Sequence, residues 1–268
     1  MRSLYLLAFF SSIFYTCPIL EGPRKSEART VTFWSVGQGD FASITTSTHC
    51  YFFDAGGSTS ISRLMREKIS HQCSKKISWL FISHFDKDHI RNVIPLTRLI
   101  HITAAFFPHL KPKTRFGNAL LEELVRRHVN LQKIDTHFNL KLQNFEIHCL
   151  WPHPNFKGFK DENSWSLVMQ VSVGRRSFLF TGDLPTKIEK ILLKQPIERA
   201  TILKIGHHGS KSSTSKPFLE AVHPQACVVS VGRLNRYHHP TLETLKRLVS
   251  ENCAILRTDR LGPISFLF

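Results

Sequence analysis

The sequence predicts an α/β fold of four layers, with two β-sheets packed face to face and helices over both outer faces. Three observations point there. Short apolar runs of strand length recur, and each ends in a polar loop. Amphipathic segments of helical period lie between groups of these runs, and the order of the groups roughly repeats in the two halves of the chain. A half-apolar sheet and a striped helix must each bury one side, and two sheets covered by helices is the simplest way to do so. Loops at the strand ends then converge at one edge, and polar residues concentrate in those loops.

In chain order, residues 31–36 read as a strand ending in the turn Gly37-Gln38-Gly39-Asp40. Residues 41–46 and 50–53 form an antiparallel pair, the second ending at Asp54-Ala55-Gly56-Gly57. Residues 60–70 read as a helix, with Ile61, Leu64, Met65 and Ile69 at helical spacing. Residues 77–83 are a buried strand, 90–99 a helix broken near Pro95, 101–107 a strand and 118–130 a helix. Strands follow at 145–151, 166–173 and 178–180, then a helix at 187–193 and a strand at 201–205. A helix at 216–222, a strand at 226–230, a helix at 241–250 and strands at 254–257 and 264–268 complete the chain.

The 268 residues are 42% hydrophobic and 21% charged, which describes a globular protein and excludes a disordered one over most of its length. The charge is unbalanced: 36 Lys and Arg against 20 Asp and Glu give a formal +16. A field of that sign gathers polyanions; nucleic acid, phosphorylated small molecules and anionic membrane surface all satisfy it. At the N-terminus, Arg2 precedes an apolar run over 4–14 that is interrupted by Ser11 and Ser12. This has the form of a secretory signal and is short for a membrane span. We therefore expect 1–28 to be signal peptide and linker, 29–268 to be one globular domain, and the protein to be exported to the periplasm or cell exterior. A buried first helix or the remnant of a membrane helix are the alternatives. The six cysteines (Cys17, Cys50, Cys73, Cys149, Cys227, Cys253) form no CxxC pair, which argues against a cysteine zinc site. An exported chain would carry one or two disulfides of unreadable connectivity, while Cys149 and Cys227 read most simply as core residues.

Four constellations carry chemistry. Ser83-His84-Phe85-Asp86-Lys87-Asp88-His89 follows an apolar strand directly. Imidazole and carboxylate are the ligands of borderline and hard divalent ions such as Zn²⁺ and Mn²⁺, and His84, Asp86, Asp88 and His89 can hold one ion and begin a second. Phe178-Leu179-Phe180-Thr181-Gly182-Asp183 delivers one carboxylate at a strand tip. Alone it reads as a turn or cap; beside the first cluster, Asp183 reads as a bridging ligand. Lys204-Ile205-Gly206-His207-His208-Gly209-Ser210 ends another strand in paired histidines. Adjacent residues of an extended segment point to opposite sides, so one of the two is expected at the metal, and spacing does not say which. The fourth, Arg233-Leu234-Asn235-Arg236-Tyr237-His238-His239-Pro240, combines cations with aromatic and histidine side chains. It reads equally as a phosphate-binding loop or a surface loop capping the next helix.

Taken together, Val36-Gly37-Gln38-Gly39-Asp40, Phe53-Asp54-Ala55-Gly56, the HxDxDH run, Thr181-Gly182-Asp183, Gly206-His207-His208-Gly209-Ser210 and Asn235-x-Tyr237-x-His239-Pro240 form an ordered set. The chain resembles, over 30–268, the metallo-β-lactamase-type domain of the ComEC competence (DNA-uptake) proteins. The resemblance implies an αββα metallo-β-lactamase sandwich with its metal site at the sheet edge, outside the cytoplasm, degrading one DNA strand while the other enters the cell. It implies His84 and Asp86 at a first metal position, Asp88 and His89 at a second, Asp183 as the bridge, His207 or His208 beyond it, and Asp54 as a buried brace. Asn163 falls where other branches supply histidine, which implies a weakened site and a single tightly held ion. Relatives continue the motif with Ile-Gly-Gly; this chain has Ile90-Arg91-Asn92, so Arg91 would crowd the pocket or contact a phosphate.

The reading is therefore a hydrolase using one or two divalent ions (Zn or Mn), most simply a DNA phosphodiesterase. Asp88 orients or deprotonates the attacking water, and His239 stabilises the leaving oxygen or binds phosphate. Arg233, Asn235, Tyr237 and Arg91 are expected on substrate, and a membrane DNA-uptake channel as partner. Two alternatives stay open: hydrolysis of a small ester, small phosphodiester or lactam, and a non-catalytic DNA-binding module with a structural metal.

Overall fold

The computed structural model describes residues 30–142, 145–157, 159 and 161–268; the expected signal and linker, 1–28, lie outside them. In the first half, strands β1 (Thr30–Phe33), β2 (Phe41–Thr45), β3 (His49–Ala55), β4 (Ile77–Phe81), β5 (Ile102–Phe107) and β6 (Asn130–Lys133) alternate with helices α1 (Arg63–Cys73), α2 (Lys87–Ile90), α3 (Val93–Thr97) and α4 (Arg115–Arg126). The second half runs β7 (Asn139–Leu142), β8 (Phe145–Trp151), β9 (Val168–Val173), β10 (Arg176–Phe180), α5 (Thr186–Leu192), β11 (Ile202–Lys204), α6 (Lys216–Val222), β12 (Ala226–Val229), α7 (Leu242–Ser250), β13 (Ala254–Arg257), α8 (Thr258–Leu261) and β14 (Ile264–Leu267).

These strands form two seven-stranded sheets, in the orders β14-β1-β2-β3-β4-β5-β6 and β13-β12-β11-β10-β9-β8-β7. Each sheet is mixed. β1 to β3 are antiparallel and β3 to β6 parallel; β7 to β10 are antiparallel and β10 to β13 parallel. Between the sheets lies a core that includes Phe33, Phe53, Phe81, Phe106 and Phe180. Phe53 stacks on Phe180 at 4.2 Å and on Phe81 at 5.2 Å, and Phe81 on Phe106 at 4.7 Å, so a ladder of rings joins the two sheets. A second cluster seats α1 to α4 on the first sheet and a third seats α5 to α7 on the other, which completes the four-layer αββα sandwich.

Several boundaries differ from the sequence reading, for local reasons. The first helix starts later because Ser62 caps it, its Oγ accepting from Met65 N at 3.3 Å. Thr114 likewise starts α4 at Arg115, ahead of the expected 118. The break expected at Pro95 lies instead at Arg91 and Asn92. Asn92 N donates to Ala55 O at 2.7 Å, tying the chain to β3, whereas Pro95 sits in the first turn of α3, where a missing N–H costs nothing. β6 and β7 are missed by sequence because they are polar, exposed and short. Two disulfides form. Cys50–Cys73 staples β3 to the end of α1, and Cys227–Cys253 staples β12 to the turn before β13. Cys227, read above as a plain core residue, is buried but bridged; Cys149 is the buried free thiol among the described residues.

Candidate metal centre

The site is assembled where parallel strands end. β3 leads into Asp54 to Gly57, β4 into Ser83 to His89, β10 into Asp183, β11 into His207 and His208, and β12 into Ser230. Ligand sites of open α/β sheets collect at the carboxyl ends of strands for this reason: the loops there share one edge.

One ligand atom each from Asp88, His89, Asp183 and His208 lies within 4.8 Å of the others. His89, Asp183 and His208 are buried, and Asp88 is the member that reaches solvent. Asp183 is central. Its Oδ1 lies 3.2 Å from His89 Nε2, and its Oδ2 lies 3.5 Å from His207 Nε2 and 3.8 Å from His208 Nε2. His84 flanks this cluster, its ring 4.1 Å from that of His89, and its Nε2 is 3.5 Å from Asp86 Oδ2.

The tautomers decide whether a cation fits. His208 Nδ1 is 2.9 Å from the carbonyl of Ser230, which can only accept, so Nδ1 carries the proton. Its Nε2 then aims a lone pair at Asp88 Oδ2, 3.2 Å away. His89 repeats the arrangement: Nδ1 is 2.8 Å from Asp54 Oδ2, and Nε2 faces Asp183 Oδ1. Two imidazole lone pairs thus face two carboxylates at short range. The opposition is relieved by extra protons or by a divalent cation, and the buried Nε2 atoms of His84 and His89 and the Oδ1 of Asp183 have no hydrogen-bond partner. The donor set fits a divalent metal ion.

Without the ion, protons fill the need. Burial opposes charging His208, but Asp183 and Asp40 override it and lift the pKa to about 9. His89 is likewise raised, against burial, chiefly by Asp183 and Asp54. Asp88 and Asp183 are held below the usual carboxylate range despite burial, Asp88 mainly by its hydrogen bond with His208 and Asp183 mainly by the charge of His89.

Asp54, Asp40 and His89 form a second group of close ligand atoms. It is a brace. Asp54 accepts from Ser83 N at 2.7 Å, from Ser83 Oγ at 2.8 Å and from His89 Nδ1, which commits most of its lone pairs to holding the metal-motif loop. Asp40 is ion-paired with buried Lys204 and lies 3.4 Å from His208 Nδ1. Burial raises its pKa, yet Lys204 and His208 take it down to about 2. Lys204 Nζ also donates to Gly182 O at 2.9 Å, tying β11 to the turn that carries Asp183. Neither Asp40 nor Lys204 is singled out as a site residue by sequence. The signals were Asp40 closing the Gly-Gln-Gly turn and a lone lysine at the end of an otherwise apolar strand.

The paired histidines depart from the extended geometry that the sequence suggests. His207 and His208 have φ of 49° and 54°, left-handed values uncommon for residues other than glycine. The alternation rule therefore fails, and both rings turn toward Asp183. His208 is buried beside Asp88 and His89; His207 is more exposed and lies outside the four-residue cluster. Asn163 Nδ2 reaches His207 Nδ1 at 3.5 Å.

Of the remaining expected residues, Arg91, Arg233, Asn235 and Tyr237 line a cleft of about 790 Å³, together with Asp88, Lys87 and Arg236. Arg91 is anchored by a hydrogen bond from Nη1 to Ser58 O at 2.8 Å and lines the cleft wall. The carboxamide of Asn235, expected on substrate, is engaged by its own loop. Nδ2 donates to Gly232 O at 3.0 Å and His239 O at 2.7 Å, and Oδ1 accepts from Tyr237 N and His239 N. His239 stacks on Tyr237 and lies edge-on to His207 at 5.7 Å. Burial and the neighbouring His207 and His208 push its pKa down to about 4, so it stands neutral at pH 7.

The metallo-beta-lactamase superfamily model matches residues 35–233. The chain belongs to this superfamily. It is 27% identical over 264 residues to ComE operon protein 3 of Bacillus subtilis, covering 92% of this chain and 34% of that protein. It is 29% identical over 250 residues to competence protein ComA of Neisseria gonorrhoeae, covering 92% of this chain and 33% of that one. The chain thus spans about a third of the length of these relatives. Among solved structures, YhfI of Bacillus subtilis, a metallo-beta-lactamase fold protein, superposes with TM-score 0.59 at 12% identity over 90% of this chain and all of that one, a likeness of fold. Superfamily membership together with the His/Asp cluster makes this a metal-dependent hydrolase, related to competence proteins.

Proposed function

We propose that the protein hydrolyses phosphodiester bonds, with DNA as substrate, outside the cytoplasm. The observation that carries this reading is the cleft. Lys87, Arg91, Arg233 and Arg236 line it together with Asp88, the one cluster residue that reaches solvent. Four cations around a solvent-facing carboxylate suit a polyanion whose phosphate is drawn to the centre, and Arg forks suit phosphate oxygens. The formal charge of +16 acts in the same sense at longer range.

A divalent ion, or a pair, held by Asp88, His89, Asp183 and His208 would polarise a phosphoryl oxygen and lower the pKa of a water. The protein's own groups do the rest. Asp88, ionised and lining the cleft, accepts a hydrogen bond from the attacking water and orients it. Asp54 and Ser230 fix the ring planes and tautomers of His89 and His208. His239, neutral, donates a hydrogen bond to a phosphate or leaving oxygen without adding charge in this reading. Zn and Mn both suit imidazole and carboxylate ligands. Two disulfides support an oxidising compartment, hence export to the periplasm or exterior. The likeness to a competence protein supports a role in competence, for which we propose a membrane DNA-uptake channel as partner.

The second reading is hydrolysis of a small phosphodiester, ester or lactam. The cleft volume of about 790 Å³ favours it, since small-molecule sites fall in that range. A substrate panel separates the two: bis(4-nitrophenyl) phosphate, a lactam, and single- and double-stranded DNA, each with Mn²⁺ or Zn²⁺. The proposal expects DNA to be cut with the highest kcat/KM. Turnover of the small diester or lactam with none of DNA replaces it by the second reading.

A further inference from the structure

Most of the described aromatic rings are buried or half-buried, which makes the exposed ones informative. Among the described residues three aromatic side chains are exposed: Phe116 at 41%, Phe159 at 45% and Tyr237 at 49%. Each carries a cation over its ring. Lys87 Nζ is 5.8 Å from the Phe116 centroid, Lys187 Nζ is 4.2 Å from Phe159, and the Arg236 guanidinium is 4.9 Å from Tyr237.

All three are linked to the metal centre. Lys87 stands between Asp86 and Asp88 in the metal motif. Tyr237 stacks on His239 at 5.8 Å, and His239 meets His207. Phe159 packs on Phe156 at 6.0 Å and Phe156 on Trp165 at 4.8 Å, in the segment whose Asn163 reaches His207. Three open rings, each beside a cation and each tied to one hydrolytic centre, form a pattern that isolated surface apolar residues do not make. A ring next to a cation offers a stacking face and a phosphate partner together, which is how proteins hold unpaired nucleic acid without reading its sequence.

We propose that Phe116, Phe159 and Tyr237 are stacking sites for unpaired bases, and that the strand threaded past the metal centre is single-stranded, its phosphates on Lys87 and Arg236, since Lys187 is ion-paired with Asp161 at 2.7 Å. This rests on the phosphodiesterase reading and deepens it. A duplex keeps its bases stacked on one another and cannot use the rings.

The test is the affinity of the protein in EDTA for a short labelled oligothymidylate and for an abasic strand of the same length, read by fluorescence anisotropy. The wild type binds the oligothymidylate about tenfold or more tighter, since base stacking on an aromatic ring is worth this much. Phe116→Leu and Tyr237→Leu each weaken the oligothymidylate about tenfold and leave the abasic strand alone. Equal affinity for the two strands overturns the stacking sites, and that comparison needs no variant. Ring variants that weaken both strands equally overturn them too. The underlying reading is scored separately, by cleavage with Mn²⁺ or Zn²⁺: cutting without base preference sinks the stacking sites alone. Base preference without cutting upholds the sites and sinks the phosphodiesterase.

Discussion

His208 Nε2 and Asp88 Oδ2, 120 residues apart in the chain, meet at 3.2 Å across the edge of the two sheets. The contact joins the loop after β4 to the loop after β11, so each sheet contributes to the centre and neither holds it alone. Because His208 Nδ1 is committed to Ser230 O, the contact sets a lone pair against a carboxylate, an arrangement that calls for a cation.

The brace beneath it yields the first prediction. Asp54 accepts from three donors, Ser83 N, Ser83 Oγ and His89 Nδ1. In Asp54→Asn one carboxylate oxygen becomes an NH₂ group and one donor loses its partner. Metal affinity should fall by roughly 10–100-fold with the fold intact. Competition against a chromogenic chelator reads it, and unchanged affinity would show that Asp54 does not orient His89.

Gly56 yields the second. A Cβ there would lie 1.7 Å from the Asp88 carbonyl oxygen and 2.5 Å from His89 Cα, and these neighbours are backbone. Gly56→Ala must push the metal-motif loop off β3, costing about 3 kcal/mol or more and lowering Tm by roughly 6 °C or more. Thermal melting checks this; a Tm within a degree of wild type would mean the loop is not seated where described.

The fold and the heart of the site were legible because their signals are local. HxDxDH is contiguous, and Asp183 and the histidine pair each close an apolar strand, so a strand-end reading collects them. What was not legible depends on tertiary geometry. The left-handed backbone at His207 and His208 turns both rings to one carboxylate, and periodicity cannot foresee it. Lys204 gains its role only because Asp40, from the opposite sheet, reaches it. Asn235 looked like a substrate ligand by residue type, but its loop's unpaired backbone groups claim it. The edge strands β6 and β7 carry little apolar alternation, and the cysteine pairing needs Cα positions that sequence does not supply.

The third prediction concerns pH. In the metal-free protein His208 titrates at about 9 instead of its ordinary 6.5, because Asp183 and Asp40 outweigh burial. A histidine whose folded pKa is raised contributes stability that is complete below its unfolded pKa and is lost as pH rises through the folded value. With EDTA, Tm should therefore fall between pH 6.5 and 9. With Mn²⁺ or Zn²⁺ bound the imidazole is already neutral, and the fall should be much smaller. A Tm in EDTA that is flat or rises over this range would contradict the proton-filled centre.

The most direct measurement is cleavage of single- and double-stranded DNA by the purified protein with Mn²⁺, Zn²⁺ or EDTA, beside Asp88→Ala. Metal-dependent cutting is expected, abolished by EDTA and lowered on the order of 10²-fold or more in Asp88→Ala. DNA left uncut by folded, metal-loaded wild type, or cut equally well by Asp88→Ala, would contradict it.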